Sequence, residues 1–265
     1  MVGEGDVSDL PRAKKRFGQH FLHDARVVGR ILDALAPKAG ERIVEIGPGR
    51  GALTAPLLKR TGRLTVVEID RDVIEPLKAA CGDDPGLEIR MGDALDFDFA
   101  ALAEPGTPLR LVGNLPYNIS TPLLFHLLEQ AHAVRDMHFM LQKEVVDRMA
   151  AGPDDDDYGR LSVSLAARAD VVHLFDVGPG AFTPPPRVDS AVVRLVPRPP
   201  PFRLDDWRTF DRVVAAAFGQ RRKQLGNSLR SVVSQEAFAA AGIDPQKRAE
   251  NLSAEQFARL ANALQ

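Results

Sequence analysis

The sequence predicts an α/β fold, a parallel sheet covered by helices on both faces, followed by a small all-helical domain. Two observations carry this. From about residue 42 to residue 196, short apolar runs alternate with amphipathic helical patterns, an order that calls for parallel strands joined by right-handed crossovers. Beyond the proline-rich stretch PRPPP at residues 197–201, helical periodicity runs on with no strand signal. We place a linker there. The expected domains are 1–198, an α/β domain with a basic N-terminal segment, and 202–265, a helical domain.

The elements follow in order. RIVEIG, LTVVEID, LEIRMGDA and LRLVGNLPY read as strands, with helices over residues 52–59, after LTVVEID, and over 122–130. HFMLQKEVV, a helix near residues 160–169, and the β-branched runs VVHLFDV and VDSAVVRLV complete the sheet domain. In the last domain WRTFDRVVAAAF, RRKQLGNSLRSVV, a segment near residues 237–241 and SAEQFARLANAL read as helices. The last opens with a capping box, Ser253 to Gln256.

Composition narrows the function classes. The 265 residues are 45% hydrophobic, enough for a sizeable core. No apolar run approaches the ~18 residues of a membrane span, so no membrane partner and a cytoplasmic location are expected. Cys81 is the single cysteine, which excludes an internal disulfide and a multi-thiolate metal site, and the six histidines lack ligand spacing, so no metal is expected. A formal net charge of -2 conceals segregation: Arg12, Lys14, Lys15 and Arg16 form one basic cluster, Arg221, Arg222 and Lys223 another, and residues 154–157 are four aspartates. The aspartates read as a surface loop.

Ligands on such sheets sit at the carboxyl ends of the strands. The first strand leads into Gly47-Pro48-Gly49-Arg50-Gly51, a turn whose glycines allow close approach to backbone. The second ends at Glu68, with Asp70 two residues on, about where an acid accepts hydrogen bonds from ribose hydroxyls. The third ends at Asp93, placed to accept from an adenine amino group; alone it reads equally as a turn residue. Together these describe an adenosine-shaped site, for which a nicotinamide cofactor and S-adenosylmethionine both qualify.

The fourth strand end, Asn114-Leu115-Pro116-Tyr117, separates them. An adenine amino group is a poor nucleophile because its lone pair is delocalised into the ring. Acceptors on both amino protons favour a more tetrahedral nitrogen. Asn114 offers a side-chain oxygen. Pro116 restricts Leu115 to extended backbone and brings no N–H, so the Leu115 carbonyl is available as the second acceptor. Tyr117 offers a ring for stacking. Catalysis would then come mostly from orientation.

These residues resemble the Rossmann-like class I S-adenosylmethionine-dependent methyltransferases, and more narrowly the ribosomal RNA adenine dimethylases. The likeness covers nearly the whole chain: KRFGQHFLHD, VEIGPGRGALT, VVEIDRD, GDA, GNLPYNIST, HFMLQKEVVDRM, YGRLS, AFTPPPRVDSAVVRL and FGQRRKQLGNSL are similar to the bacterial small-subunit branch, which dimethylates two neighbouring adenines near the 3′ end of 16S rRNA. The resemblance implies that His20 and Leu22 close over the cofactor, that Gly47 and Gly49 line its loop, that Glu68 holds the ribose and Asp93 the adenine, and that Asn114 lies between cofactor and target. The family often carries Asn at the position of His20. Phe182, which on its own reads as core, matches the family's aromatic facing the target base opposite Tyr117.

The implied partner is 16S rRNA in an immature 30S subunit, and a monomer is the default expectation for the protein itself. A base inside folded RNA must leave its stack to enter such a pocket, and phosphate contacts hold the duplex meanwhile. Lys14, Lys15, Arg16, Arg221, Arg222 and Lys223 are the expected contacts. An Erm-type enzyme acting on 23S rRNA is the nearest alternative, and a mainly non-catalytic assembly factor the alternative of another class. The stretches FGQRRKQLGNSL and PPPRVDSAVVRL favour the small-subunit branch, and Leu115, where DNA-adenine and release-factor methyltransferases generally carry Pro, argues against those enzymes.

Overall fold

The computed structural model describes Lys14, residues 18–220 and residues 222–264. The described elements are β1 (Phe21–Leu22), α1 (Ala25–Leu35), β2 (Ile43–Ile46), α2 (Thr54–Thr61), β3 (Leu64–Glu68), α3 (Ile74–Cys81), β4 (Leu87–Met91), β5 (Leu109–Asn114), α4 (Ser120–Glu129), β6 (Val134–Gln142), α5 (Lys143–Ala150), α6 (Arg160–Arg168), β7 (Ala169–Val177), β8 (Phe182–Thr183), β9 (Ser190–Pro197), α7 (Trp207–Phe218), α8 (Leu225–Ser228), α9 (Gln235–Ala241) and α10 (Ala254–Asn262). Seven strands form one sheet in the order β4-β3-β2-β5-β6-β9-β7, and β1 pairs antiparallel with β8 in a separate two-stranded ribbon. The pairs β2 with β3, β2 with β5, β3 with β4 and β5 with β6 are parallel, so the α/β expectation holds. The strand order reverses beside β2, where β3 lies on one side and β5 on the other. That is the topological switch point at which open sheets bind ligands.

Burial explains the strand sequences. IVEI and LTVVE are buried at every position, as parallel strands covered on both faces must be, whereas β4 at the edge is half exposed. The helix α1, which lies ahead of the alternation read from the sequence, begins at Asp24, whose carboxylate accepts from the Arg26 and Val27 N–H groups. Helix α2 runs to Thr61, two residues past its expected end, because Gly62 at φ 74° provides the left-handed residue that stops it. Leu32, Leu57, Leu58, Leu77 and Val112 share the apolar core of this unit. At the start of β5 the buried Arg110 forks onto Asp136 of β6 at 2.9 and 3.1 Å, reaches Glu41 at 2.8 Å, and donates to the Leu35 carbonyl at the end of α1. A buried charge is tolerated on these terms, since its donors meet partners.

By packing, the described residues up to Lys143 group with Leu174–Arg194, and Glu144–His173 group with the segment from Leu195 onward. The helical unit therefore takes in α6 in addition to the helices after the proline break: α6 packs on α7 and α10. Arg168 of α6 grips both carboxylate oxygens of Asp211 and lies 4.1 Å from the Trp207 ring centre, while the buried Tyr158 donates to the Leu252 carbonyl at 2.8 Å. The Ser253–Gln256 capping box forms as expected. The four aspartates are exposed, with Asp154 accepting from the Asn251 side chain.

One helix is corrected. RRKQLGNSLRSVV yields only the short α8, because the Leu225 and Gly226 N–H groups donate to the Lys247 and Pro245 carbonyls, each at 2.8 Å, and Gln224 bridges to Arg248. Arg222 and Lys223 thus precede a helix in a turn, not inside it. Among the described residues no helix is long and apolar enough to cross a membrane.

Gly113 sets how closely β5 passes β2. A Cβ there would lie 2.4 Å from the Ile46 carbonyl oxygen, a backbone atom with no room to yield. Gly113→Ala should therefore cost about 3 kcal/mol in urea unfolding; an unchanged midpoint would show that the strands can separate at no cost.

Candidate active site

Three strand ends and the N-terminal segment line a cleft at the carboxyl edge of the sheet, where ligands of such folds bind. The floor is the turn after β2. Gly47 and Gly49 take φ of 68° and 53°, the left-handed region that glycine tolerates. The Gly47 N–H is tied to the Val67 carbonyl of β3, and a side chain at 49 would press on the Phe21 ring at 3.1 Å. The Arg50 guanidinium lies over the other part of this packing, 4.3 Å from the Phe21 ring centre.

Glu68, at the end of β3, is 6% exposed and faces the cleft. Its Oε1 accepts from the Ile69 and Asp70 N–H groups at 2.9 and 2.8 Å. Burial raises its pKa, opposed by these backbone donors and by the Gly49 N–H. Asp70 has a different use. Its Oδ1 accepts from Lys14 Nζ at 2.6 Å and its Oδ2 from Gln19 Nε2 at 3.0 Å. Burial raises the Asp70 pKa, but the Lys14 and Gln19 bonds outweigh it and hold the carboxyl below its ordinary value.

The fourth strand end supplies the most specific feature. Asn114 Nδ2 donates to the His20 carbonyl oxygen at 2.8 Å. A carbonyl can only accept, so this contact fixes the amide: its NH2 faces the N-terminal segment and Oδ1 is left as the acceptor. The Pro116 and Tyr117 carbonyls are taken by the Ile119 N–H and the Ser120 hydroxyl. The Leu115 N–H donates to Met140, and the Leu115 carbonyl accepts no hydrogen bond among the described residues. The Tyr117 ring stacks on His20 with centres 5.4 Å apart, and its hydroxyl shares a 2.5 Å hydrogen bond with the buried Ser190. Burial raises the Tyr117 pKa, partly offset by Ser190, so the phenol is neutral. His20 in turn donates from Nδ1 to the Pro184 carbonyl at 2.8 Å.

Of the residues expected at the site, His20, Leu22, Gly47, Gly49, Glu68, Asn114, Leu115, Pro116 and Tyr117 all line the cleft. Two expected residues do not. Asp93 is exposed, and its Oδ1 accepts from the Leu95 N–H at 2.9 Å, the turn geometry that a lone Asp after a strand adopts. Phe182 is buried in the apolar core, opposite Leu22 in the β1–β8 ribbon. Lys14 is engaged by Asp70 and Asp72. Arg222 and Lys223 are exposed, and Lys15, Arg16 and Arg221 lie outside the described residues. Among the described residues no group of three His, Cys, Asp or Glu side chains could hold a metal.

The arrangement fits a cofactor bearing adenosine and an amino-acid tail: a backbone cradle at Gly47 and Gly49, a carboxylate acceptor at Glu68, and a polar oxygen at Asn114. Sequence reasoning missed Glu45, which also lines the cleft at 2% exposure; the signal was an acid inside an otherwise apolar strand. Burial pushes its pKa up to about 8, against the Thr54 hydroxyl donating at 2.7 Å and helped by the charge of Glu68. At neutral pH Glu45 is therefore mostly protonated, which spares Glu68 a like-charged neighbour. Because the folded pKa exceeds the unfolded one, the neutral carboxyl favours folding fully below about pH 4.5, and this is lost as pH rises to about 8. Glu45→Gln should remove that loss, gaining on the parent by about 1 kcal/mol per pH unit across the window. Parallel urea midpoints at pH 5 and pH 8 would contradict it.

Comparison with known proteins places this site in a family. The family model Ribosomal RNA adenine dimethylase matches residues 11–265. The Ribosomal RNA small subunit methyltransferase A of Xanthomonas oryzae pv. oryzae is 59% identical over 251 residues, covering 94% of this chain and 95% of the relative. The protein of the same name from Pseudomonas aeruginosa is 56% identical over 254 residues, covering 96% and 95%. Among solved structures, a dimethyladenosine transferase from Plasmodium falciparum superposes with a TM-score of 0.76 at 25% identity, covering 91% of this chain and 96% of that one. The 23S rRNA methyltransferase ErmE gives 0.68 at 25% identity, covering 92% and 99%. With a family match over nearly its whole length and relatives this similar, the chain belongs to the ribosomal RNA adenine dimethylases.

Proposed function

We propose that this protein transfers methyl groups from S-adenosylmethionine to N6 of two adjacent adenines in the 3′-terminal hairpin of 16S rRNA, giving N6,N6-dimethyladenine. The observation that carries the reading is the orientation of Asn114: its Nδ2 is committed to the His20 carbonyl, so Oδ1 is the atom that can receive an amino proton. The relatives at 56–59% identity bear a small-subunit rRNA methyltransferase name, against 25% for the 23S enzyme, and this favours the small-subunit substrate over the Erm-type alternative.

When bound, S-adenosylmethionine supplies an electrophilic methyl group. The chain's residues do the rest by position. Gly47 and Gly49 let the cofactor approach backbone, Glu68 accepts from its ribose hydroxyls, and His20 and Leu22 cover it. Asn114 Oδ1 and the Leu115 carbonyl accept the two amino protons of the target, which directs the nitrogen lone pair away from the ring plane. Tyr117, held by Ser190 and His20, gives the base a face to stack on. No strong base is needed: the amine becomes acidic once alkylated and its proton leaves to water. Holding the reacting atoms in alignment carries most of the acceleration.

We place the reaction on an immature 30S subunit in the cytoplasm, with the protein acting as a monomer and its occupancy of the particle serving as a second role in assembly. The exposed Arg222 and Lys223 contact RNA phosphate, in keeping with the sequence reading of that cluster.

Three measurements test this. Purified protein given labelled S-adenosylmethionine with undermethylated 30S particles, 50S particles and DNA should label only the 30S, at two adjacent adenines mapped by mass. Asn114→Ala should lower kcat by about 10² or more while still binding the particle; label in the 50S or the DNA would overturn the assignment. Replacing Arg222 and Lys223 together by Ala should lower the salt-dependence slope of rRNA binding by about two, and an unchanged slope would remove them from the interface.

A further inference from the structure

The basic residue Lys14 adjoins the cofactor-covering segment, and its partners argue for a use other than RNA contact. Its Nζ lies 2.6 Å from Asp70 Oδ1 and 2.5 Å from Asp72 Oδ2, while its backbone N–H donates to Gln19 Oε1 at 2.8 Å. Gln19 then passes its Nε2–H to the other oxygen of Asp70 at 3.0 Å. The bonds close a ring: Lys14 to Gln19, Gln19 to Asp70, and Asp70 back to Lys14. Each oxygen of Asp70 meets one donor from the N-terminal segment.

We propose that Lys14 and Asp70 form a latch that holds residues 18–22 as one wall of the cofactor cleft, and so act as positioning residues for cofactor binding. This rests on the reading of the cleft as the S-adenosylmethionine site. Exposed ion pairs contribute little, but Asp70 is 3% exposed, so its carboxylate depends on these donors. The same residue touches the site through its backbone: the Asp70 N–H donates to Glu68 Oε1. The turn that aims the ribose-binding acid is thus the turn to which the N-terminal segment is fastened. From there the segment crosses to Asn114, which donates to the His20 carbonyl, and on to the pairing of Phe21 and Leu22 with Thr183 and Phe182. Gly18, Gln19, His20, Phe21 and Leu22 all line the cleft. Releasing the Lys14 end loosens one side of that wall and leaves the β1–β8 side paired, so the binding-competent form becomes less populated and the apparent affinity falls in proportion.

The test is titration calorimetry of the full chain with S-adenosylhomocysteine, using the parent protein, Lys14→Met, Asp70→Asn and the double variant, beside rRNA binding measured against salt. The parent binds; each single variant binds about tenfold more weakly; and the double variant binds no more weakly than the weaker single, because both changes open the same contact. The salt slope of rRNA binding stays that of the parent. Unchanged S-adenosylhomocysteine affinity in Lys14→Met, or losses that add in the double variant, would overturn the latch. Failure of the parent protein itself to bind would overturn the cofactor reading of the cleft and the latch with it.

Discussion

The hydrogen bond from Asn114 to the His20 carbonyl is the contact on which the rest of the site depends. It joins the fourth strand end, Asn114-Leu115-Pro116-Tyr117, to the N-terminal segment that lines the cleft. It also removes an ambiguity intrinsic to an amide side chain, which offers a donor and an acceptor of nearly equal shape. The donor is committed to the protein and the acceptor remains for a ligand. Gly113, one residue earlier, allows β5 to lie close to Ile46, and Pro116, two residues later, leaves the Leu115 carbonyl outside the turn's own hydrogen bonding.

Three acids at or beside the cleft show how environment sorts like side chains into different tasks. Glu45 lies deepest, receives one hydroxyl donor and stays mostly protonated at neutral pH. Glu68 is nearly as buried but accepts backbone N–H groups, which support its charged form and fix its direction. Asp70 is held charged by a lysine and an amide from the N-terminal segment. Desolvation acts on all three; the number and charge of the donors decides the outcome.

Much of this was legible in the sequence. The alternation of apolar runs with helical patterns gives the parallel sheet, because strands covered on both faces leave no polar positions. The glycine turn, Glu68 and the Asn114–Tyr117 motif were legible because each residue type has a specific backbone or hydrogen-bonding consequence. What failed was what depends on distant partners. The helix expected over RRKQLGNSLRSVV is cut short by carbonyls of residues 245 and 247 that local propensity does not register. The local placement of two expected site residues was not legible either: Asp93 Oδ1 accepts from the Leu95 N–H of its own turn, and Phe182 packs in the core across from Leu22. Ser190 and Gln19 carry no local signal, since the contacts that tie them to the site, Ser190 to Tyr117 and Gln19 to Asp70, join residues far apart in the chain. Glu45 did carry a signal, a carboxyl within a buried strand, but its protonation follows from three-dimensional burial alone.

A crystal structure of the protein with S-adenosylhomocysteine and an adenosine mononucleotide would show directly whether Asn114 and Leu115 hold the target amine. The exocyclic N6 should lie within about 3 Å of both Asn114 Oδ1 and the Leu115 carbonyl oxygen, with the base stacked on Tyr117 and the Asn114–His20 bond intact. A base bound with N6 pointing away from Asn114, or Asn114 turned so that its NH2 faces the base, would contradict it.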